Sequence, residues 1–367
     1  MRFKKTEKNT SNKAANATSG RSVIGLDIGQ GGIRMVQLSG RSLSQVQLEK
    51  YAMVTLPSNV ISGTEVVDFE QLVSHLQQCY SKLKTNCKQV NISLPTSSVT
   101  IEDDVRFNPE ESEISLQEMV ESEVSRVGAL DSMNYDWYEM SQNAKTGEQR
   151  ILVVAAKTED VDRCSDLLDE IGLQATNVDV DLFAIANAFA YADQGEQFAD
   201  SKVLLVDVGD VNMRALVVEK GTILFRHESH LGLEQLVQLV QRNYQCGDAE
   251  ALAMIYGEMG RPADYHNMIT HDFNMQIAQE VQRALQFFLA TQSMDQGNDI
   301  RQIFVSGVGC TGAAGLDDAI YAQTSIATQQ IAPASLAVNK LKTDEARFAQ
   351  DANSLTMAFG LALRGLV

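Results

Sequence analysis

The chain has 367 residues, 44% of them apolar and 21% charged, with a formal net charge of −18 at pH 7. That length favours two domains over one core, and the composition excludes a disordered chain. The acidic balance argues against nucleic acid and anionic lipid as partners. Five cysteines (Cys79, Cys87, Cys164, Cys246 and Cys310) are scattered, with no CxxC pair and no zinc-finger spacing, which suits a reducing, cytoplasmic compartment. No stretch reaches the ~20 apolar residues of a membrane span, so association with a membrane is expected only through partners.

In chain order, residues 1–20 read as a disordered, basic leader: residues 1–21 carry six basic side chains against Glu7. From Ser22 to about Thr55, VIGLDIG, IRMVQLSG and QVQLEKYAMV alternate as strands. Residues 68–83 place Phe69, Leu72, Val73, Leu76, Tyr80 and Leu83 at helical spacing. QVNISLP is a strand ended by Pro95. Residues 96–172 then read β-α-β-β-α, a small inserted subdomain. LQATNVDV and the Ala-rich helix DLFAIANAFAYA follow, and GEQFADSK is a polar linker. Residues 202–228 hold three more strands. Helices are expected at 232–245, 248–255 and 272–292, RQIFVSGVG is a buried strand with a glycine turn, and 354–367 is a closing helix.

The chemistry lies in a repeat. VIGLDIGQGGIRMVQLSG and VLLVDVGDVNMRALVVEKG share one pattern, with Asp27, Gly29 and Arg34 corresponding to Asp207, Gly209 and Arg214, each pair 180 residues apart. Two copies of a strand–turn–strand unit imply a duplication with a cleft between the halves. Glycine-rich turns present successive backbone N–H groups as an anion nest, so Gly29, Gln30, Gly31, Gly32, Gly209 and Asp210 are candidates for holding phosphates. Asp27 and Asp207, which would repel phosphate directly, are candidates for holding Mg²⁺. Gly307 and Gly309 begin a GxGxxG pattern, but no acidic residue follows at the ribose-binding distance of a dinucleotide fold. A turn beneath an adenine ring and a plain strand-to-helix turn both remain open on these residues. Asp179 alternates with Asp181 and is the candidate to orient a water in the cleft; Asp181 is read as a helix cap. No Walker motif, nucleophile elbow or zinc cluster occurs.

Two DxG hairpins plus an SGVG turn resemble the actin, sugar-kinase and heat-shock-chaperone ATPase superfamily. The ordered run IGLDIGQGGIRMVQLS, NVISGTEVVDFEQLVSHL, QVNISLPTSSV, VDVDLFAIANAF, HLGLEQLVQLV, EVQRALQFF, IFVSGVGCTGAAGL and MAFGLALRGL resembles, more narrowly, the type IV pilus assembly PilM family, cousins of the cell-division protein FtsA. The resemblance implies an α/β fold of two actin-like, ribonuclease-H-type domains: a first domain of 21–95 and 173–198 closed by helix 354–367, an FtsA-like insertion at 96–172, and a second domain of 199–353. It places Gly232 and Glu234 at the family's Gly-Gly-Glu motif, with Leu231 replacing the first glycine, and Gly307 and Gly309 at the adenosine turn. It implies ATP and Mg²⁺ as cofactors and at most weak ATPase activity. The implied role is a cytoplasmic adaptor peripheral to the inner membrane. Such an adaptor binds the N-terminal peptide of the membrane protein PilN and relays contact to the motor ATPases, with self-association open. A phosphotransferase and a filament-forming scaffold are the alternatives in this fold. The chain departs from the family at Gly31-Gly32-Ile33-Arg34, where Ser-Ser-x-Lys is common, and at Asp210-Val211-Asn212-Met213, where a hydroxyl is common. The expectation is that side-chain contacts to phosphate and metal are lost while the backbone nests remain.

Overall fold

The computed structural model describes residues 21–193, 197–198, 200–291, 299–342 and 344–366. The basic leader, part of the GEQFADSK linker and the last residue of the expected 272–292 helix lie outside them. The first alternating run folds as β1 (Arg21–Gly29), β2 (Gly32–Gly40) and β3 (Gln47–Thr55), antiparallel neighbours in which Asp27 faces Arg34 and Gly29 faces Gly32. A two-residue-per-strand hairpin, β4 (Ile61–Ser62) and β5 (Glu65–Val66), leads into α1 (Phe69–Leu83). Asp68 caps α1 by accepting from the Gln71 N–H at 3.0 Å, and Leu72, Leu76, Tyr80 and Leu83 bury its inner face. β6 (Gln89–Leu94) then pairs in parallel with β1.

The inserted module follows as β7 (Val99–Phe107), α2 (Leu116–Val127), β8 (Met133–Gln142) and β9 (Gln149–Lys157), a sheet of order β7-β9-β8. A Ser115–Glu118 capping box starts α2, and Val120 and Val124 pack it over Phe107, Ile151 and Val153. Trp137 on β8 packs into this small core. The chain returns through α3 (Thr158–Asp169), whose Leu167 and Leu168 join Leu72 and Ile92 in the first domain's core, and β10 (Gln174–Val180), parallel to β6.

After α4 (Asp181–Ala192), the pattern repeats. β11 (Lys202–Val208), β12 (Met213–Glu219) and β13 (Thr222–Ser229) are antiparallel, followed by α5 (Leu233–Tyr244), α6 (Asp248–Ile255) and α7 (His271–Thr291). β14 (Ile300–Ser306), α8 (Leu316–Thr324) and β15 (Thr328–Gln330) complete the second unit, both strands parallel to β11. The five shared strands of the first sheet run β10-β6-β1-β2-β3, and the second sheet runs β15-β14-β11-β12-β13. Each therefore has its first strand central, an antiparallel meander on one side and two parallel strands on the other. The inserted module interrupts the first copy between its fourth and fifth strands.

β16 (Val338–Asn339) adds a sixth strand beside β3, and α9 (Glu345–Asp351) precedes α10 (Thr356–Arg364). α10 packs on β1, β2, β6 and α4, so the C-terminal segment closes the first domain. Its entry is a 3₁₀ turn, Ala352–Leu355, rather than the α-helix expected from 354 onward. α7 likewise grows out of one π-helical turn at His266–Thr270.

Candidate functional site

The two repeat hairpins face each other across a cleft. Antiparallel pairing sets each hairpin aspartate opposite its own arginine, Asp27 with Arg34 and Asp207 with Arg214. Arg34 Nη1 donates to Asp27 Oδ2 at 3.0 Å, and Arg214 Nη1 donates to Asp207 Oδ2 at 3.3 Å. Each guanidinium then reaches into the other domain. Arg34 grips Asp210 with two hydrogen bonds, Nη2 to Oδ1 at 2.7 Å and Nη1 to Oδ2 at 3.0 Å. Arg214 Nε stands 2.9 Å from Asp181 Oδ2. The Thr96 N–H at 3.1 Å and hydroxyl, with the Leu182 N–H at 2.7 Å, hold the other oxygen of Asp181. The domains are thus cross-linked by two reciprocal ion pairs, a planar fork on a carboxylate in the first case.

Burial governs the electrostatics. Arg34 is 2% exposed and Asp207 3%. Burial works to lower the Arg34 pKa, and the Asp210 and Asp27 carboxylates more than reverse it. Burial raises Asp27 against the pull of Arg34, and raises Asp207 to about 6 against the pull of Arg214.

The first hairpin's turn is occupied from within. A methyl group on Gly29 or Gly31 would collide with the Asp210 carboxylate, so this carboxylate lies against the turn that the sequence leaves for a phosphate. Gln30 bends away and accepts from the Gly63 N–H at 2.9 Å, tying the turn to the β4–β5 hairpin. In the second hairpin, the Gly209 N–H donates to the Asn212 carbonyl at 2.9 Å. The Gly209 and Asp210 carbonyls accept from Leu233 and Glu234 at 2.9 and 2.8 Å, satisfying the start of α5. Gly232 caps that helix with its N–H on Gln235 Oε1 at 2.6 Å, while the Glu234 carboxylate accepts from Gln238 at 3.3 Å. Gly307 (φ +104°) lets the third turn touch the end of β11: a side chain there would meet the Val208 carbonyl at 2.5 Å and Asp207 Oδ1 at 2.7 Å. Gly309 packs on the Val208 side chain. Both hairpin aspartates already accept from an arginine, and no cluster of three or more His, Cys, Asp or Glu side chains suited to a metal is found among the described residues. With a carboxylate against the turn and both aspartates paired with arginine, a phosphate in the first turn would have to displace Asp210.

Asp179 does not line the cleft; Asp181 does. Asp179 is 1% exposed, takes the Val180 N–H at 2.8 Å and faces Arg364 Nε at 3.6 Å under α10. Burial first, then the charges of Asp181 and Asp136, raise its pKa to about 7. The folded chain therefore keeps a proton that the unfolded chain has lost, so this group's contribution falls as pH rises from about 4 to about 7. Asp179→Asn is expected to flatten that slope, losing about 2–3 kcal/mol less than the parent between pH 5 and pH 8 in urea unfolding. Equal slopes would show that Asp179 stays ionised in the fold.

The cleft is one end of a cavity of 910 Å³ that continues along the first domain to α3. Ile61, Val66, Phe69 and Leu94 line that far end with Leu167, and Asp160, Arg163 and Glu65 add charge. Val66 and Phe69 are 47% and 46% exposed, an apolar mouth on an otherwise polar rim. Trp137 is not among the lining residues. In the sequence Arg34 and Arg214 stand out as repeat markers, and Arg34 as a departure from the family's lysine, but neither is marked as a cleft residue. Their signal was available: arginine seven positions after each DxG aspartate, which a tight hairpin brings opposite it.

Among solved structures, the chain is similar to one in a PilM–PilN type IV pilus biogenesis complex, with a TM-score of 0.75 at 19% identity, over 94% of this chain and 98% of that one. It is also similar to the ethanolamine utilization protein EutJ from Carboxydothermus hydrogenoformans, with a TM-score of 0.57 at 14% identity, over 94% and 89% of the two chains. The fold is actin-like, with the duplicated sheet described above. The family model described as type IV pilus assembly protein PilM matches residues 25–366, and the chain belongs to that family.

Proposed function

We propose that this chain is an adaptor of type IV pilus assembly that seats the N-terminal cytoplasmic peptide of PilN in the groove between its first domain and α3. The observation that carries this is the far end of the cavity: an apolar floor opening through Val66 and Phe69, with acidic and basic side chains beside it. An extended segment of mixed apolar and charged character suits such a lining. The similar solved chain comes from a complex with PilN, which supports the choice of partner. No helix among the described residues is long and apolar enough to cross a membrane, so attachment at the cytoplasmic face of the inner membrane is assigned to that partner. ATP with Mg²⁺ would enter the hairpin end of the same cavity only once Asp210 had left the first turn.

Phe69 begins α1 and is half exposed, so Phe69→Asp should leave the fold intact while placing a charge in the mouth. The expected result, with a labelled synthetic copy of the PilN N-terminal segment in anisotropy titrations, is at least ~10-fold weaker binding at an unchanged melting temperature. Tyr138→Asp, on the module's exposed strand, should bind as the parent does. Parental affinity in Phe69→Asp would place the peptide elsewhere.

A further inference from the structure

We propose that Asp210 and Arg34 form a latch across the cleft, in which the Asp210 carboxylate stands in for a phosphate in the turn of the first hairpin. Three features converge on this. The carboxylate lies against Gly29 and Gly31, positions at which any side chain would exclude it. Its two oxygens are matched by the two Nη atoms of Arg34, a guanidinium 2% exposed that Asp27 anchors from behind and the buried Tyr256 flanks. Its backbone is fixed, because the Gly209 and Asp210 carbonyls cap α5. The side chain, with two rotatable bonds, is the movable part.

A guanidinium that recognises a phosphate group recognises a carboxylate by the same hydrogen bonds, and the carboxylate lies where a phosphate on the turn would sit, so the two ligands compete for one place. Because Asp210 belongs to the second domain and the turn to the first, its seating also draws the domains together without any ligand. The reciprocal Arg214–Asp181 contact spans the same cleft and would remain when Asp210 swings out. The class of ligand that the latch excludes is a nucleoside polyphosphate or free polyphosphate, and its entry costs the Arg34–Asp210 pair.

The test uses the full chain and two probes, Mg²⁺-ATP and inorganic pyrophosphate, in calorimetric titrations. Asp210→Asn and Asp210→Ser remove the competing charge and leave Arg34 free to take a phosphate oxygen. Both are expected to bind each probe at least ~10-fold more tightly than the parent, and Asp210→Glu no more tightly than the parent. Adding Arg34→Met to Asp210→Ser should abolish the gain. Equal or weaker binding by folded Asn and Ser variants overturns the latch. Should neither fold, the parent decides: dissociation constants near ~1 mM or weaker for both probes support it, and ~1 μM overturns it. Titrating the same proteins with the PilN peptide reports the groove separately, so failure of the latch and failure of the adaptor reading are distinguishable.

Discussion

Arg34→Met is expected to destabilise the chain by about 3 kcal/mol at pH 7, the cost of leaving two part-buried carboxylates without their cation. Among the described residues, Arg34 is the ion-pair partner that Asp27 and Asp210 share, and their side chains are 20% and 9% exposed. Methionine fills much of the volume but offers neither oxygen a proton, and the two carboxylates then repel each other. Converting both aspartates as well (Asp27→Asn, Asp210→Asn, Arg34→Met) should recover most of the loss, because neutral groups replace the whole triad. The single variant should also regain stability as pH falls toward 4, where the stranded carboxylates protonate; the parent, in which Arg34 opposes the rise at Asp27, should gain less through this site. Urea unfolding of the three proteins at pH 5 and pH 7 checks this. A loss under ~1 kcal/mol in Arg34→Met would mean that the cleft opens and hydrates the carboxylates freely.

The fold was legible because its strongest signals are local and duplicated. An apolar run, Asp, Gly and a late Arg define a hairpin within residues 23–34, and the second copy at an offset of 180 residues marks the second of two like sheets. The β-α-β-β-α order of the inserted segment was legible for the same reason, since each element has its own period. Short elements were not: the β4–β5 hairpin contributes two residues per strand, and α8 and α9 fall in stretches whose helical stripe spans barely two turns. The latch was illegible because Arg34 and Asp210 are 176 residues apart, and no periodicity carries a contact between domains. Asp179 misled for a geometric reason. Strand alternation gives Asp179 and Asp181 the same side, but the strand ends at Val180 and Asp181 already belongs to α4. Asp181 turns into α4 and meets the cleft, while Asp179 stays under α10.

Gly360→Val is expected to cost at least ~3 kcal/mol and to unfold the first domain's closing layer, more than any single surface change elsewhere in the chain. Gly360 sits in α10 where it crosses α4, and a Cβ there would overlap the Ala184 carbonyl oxygen and come within 2.7 Å of its carbonyl carbon. The obstacle is backbone, so no rotamer relieves it; the helices must separate. Separation would in turn loosen Phe359 against Tyr191, whose rings are 5.2 Å apart, and Leu361, which lies in the core between the two domains. α10 also covers Asp179 and has no slack on its other face, because a Cβ on Gly25 of β1 would likewise overlap the Ala358 carbonyl oxygen. Gly260→Ala, where a Cβ meets nothing within 4 Å, serves as the matched control and should stay within ~0.5 kcal/mol of the parent. Chemical unfolding of the two variants decides the matter: a Gly360→Val protein as stable as Gly260→Ala would mean that α4 and α10 are not locked together in solution.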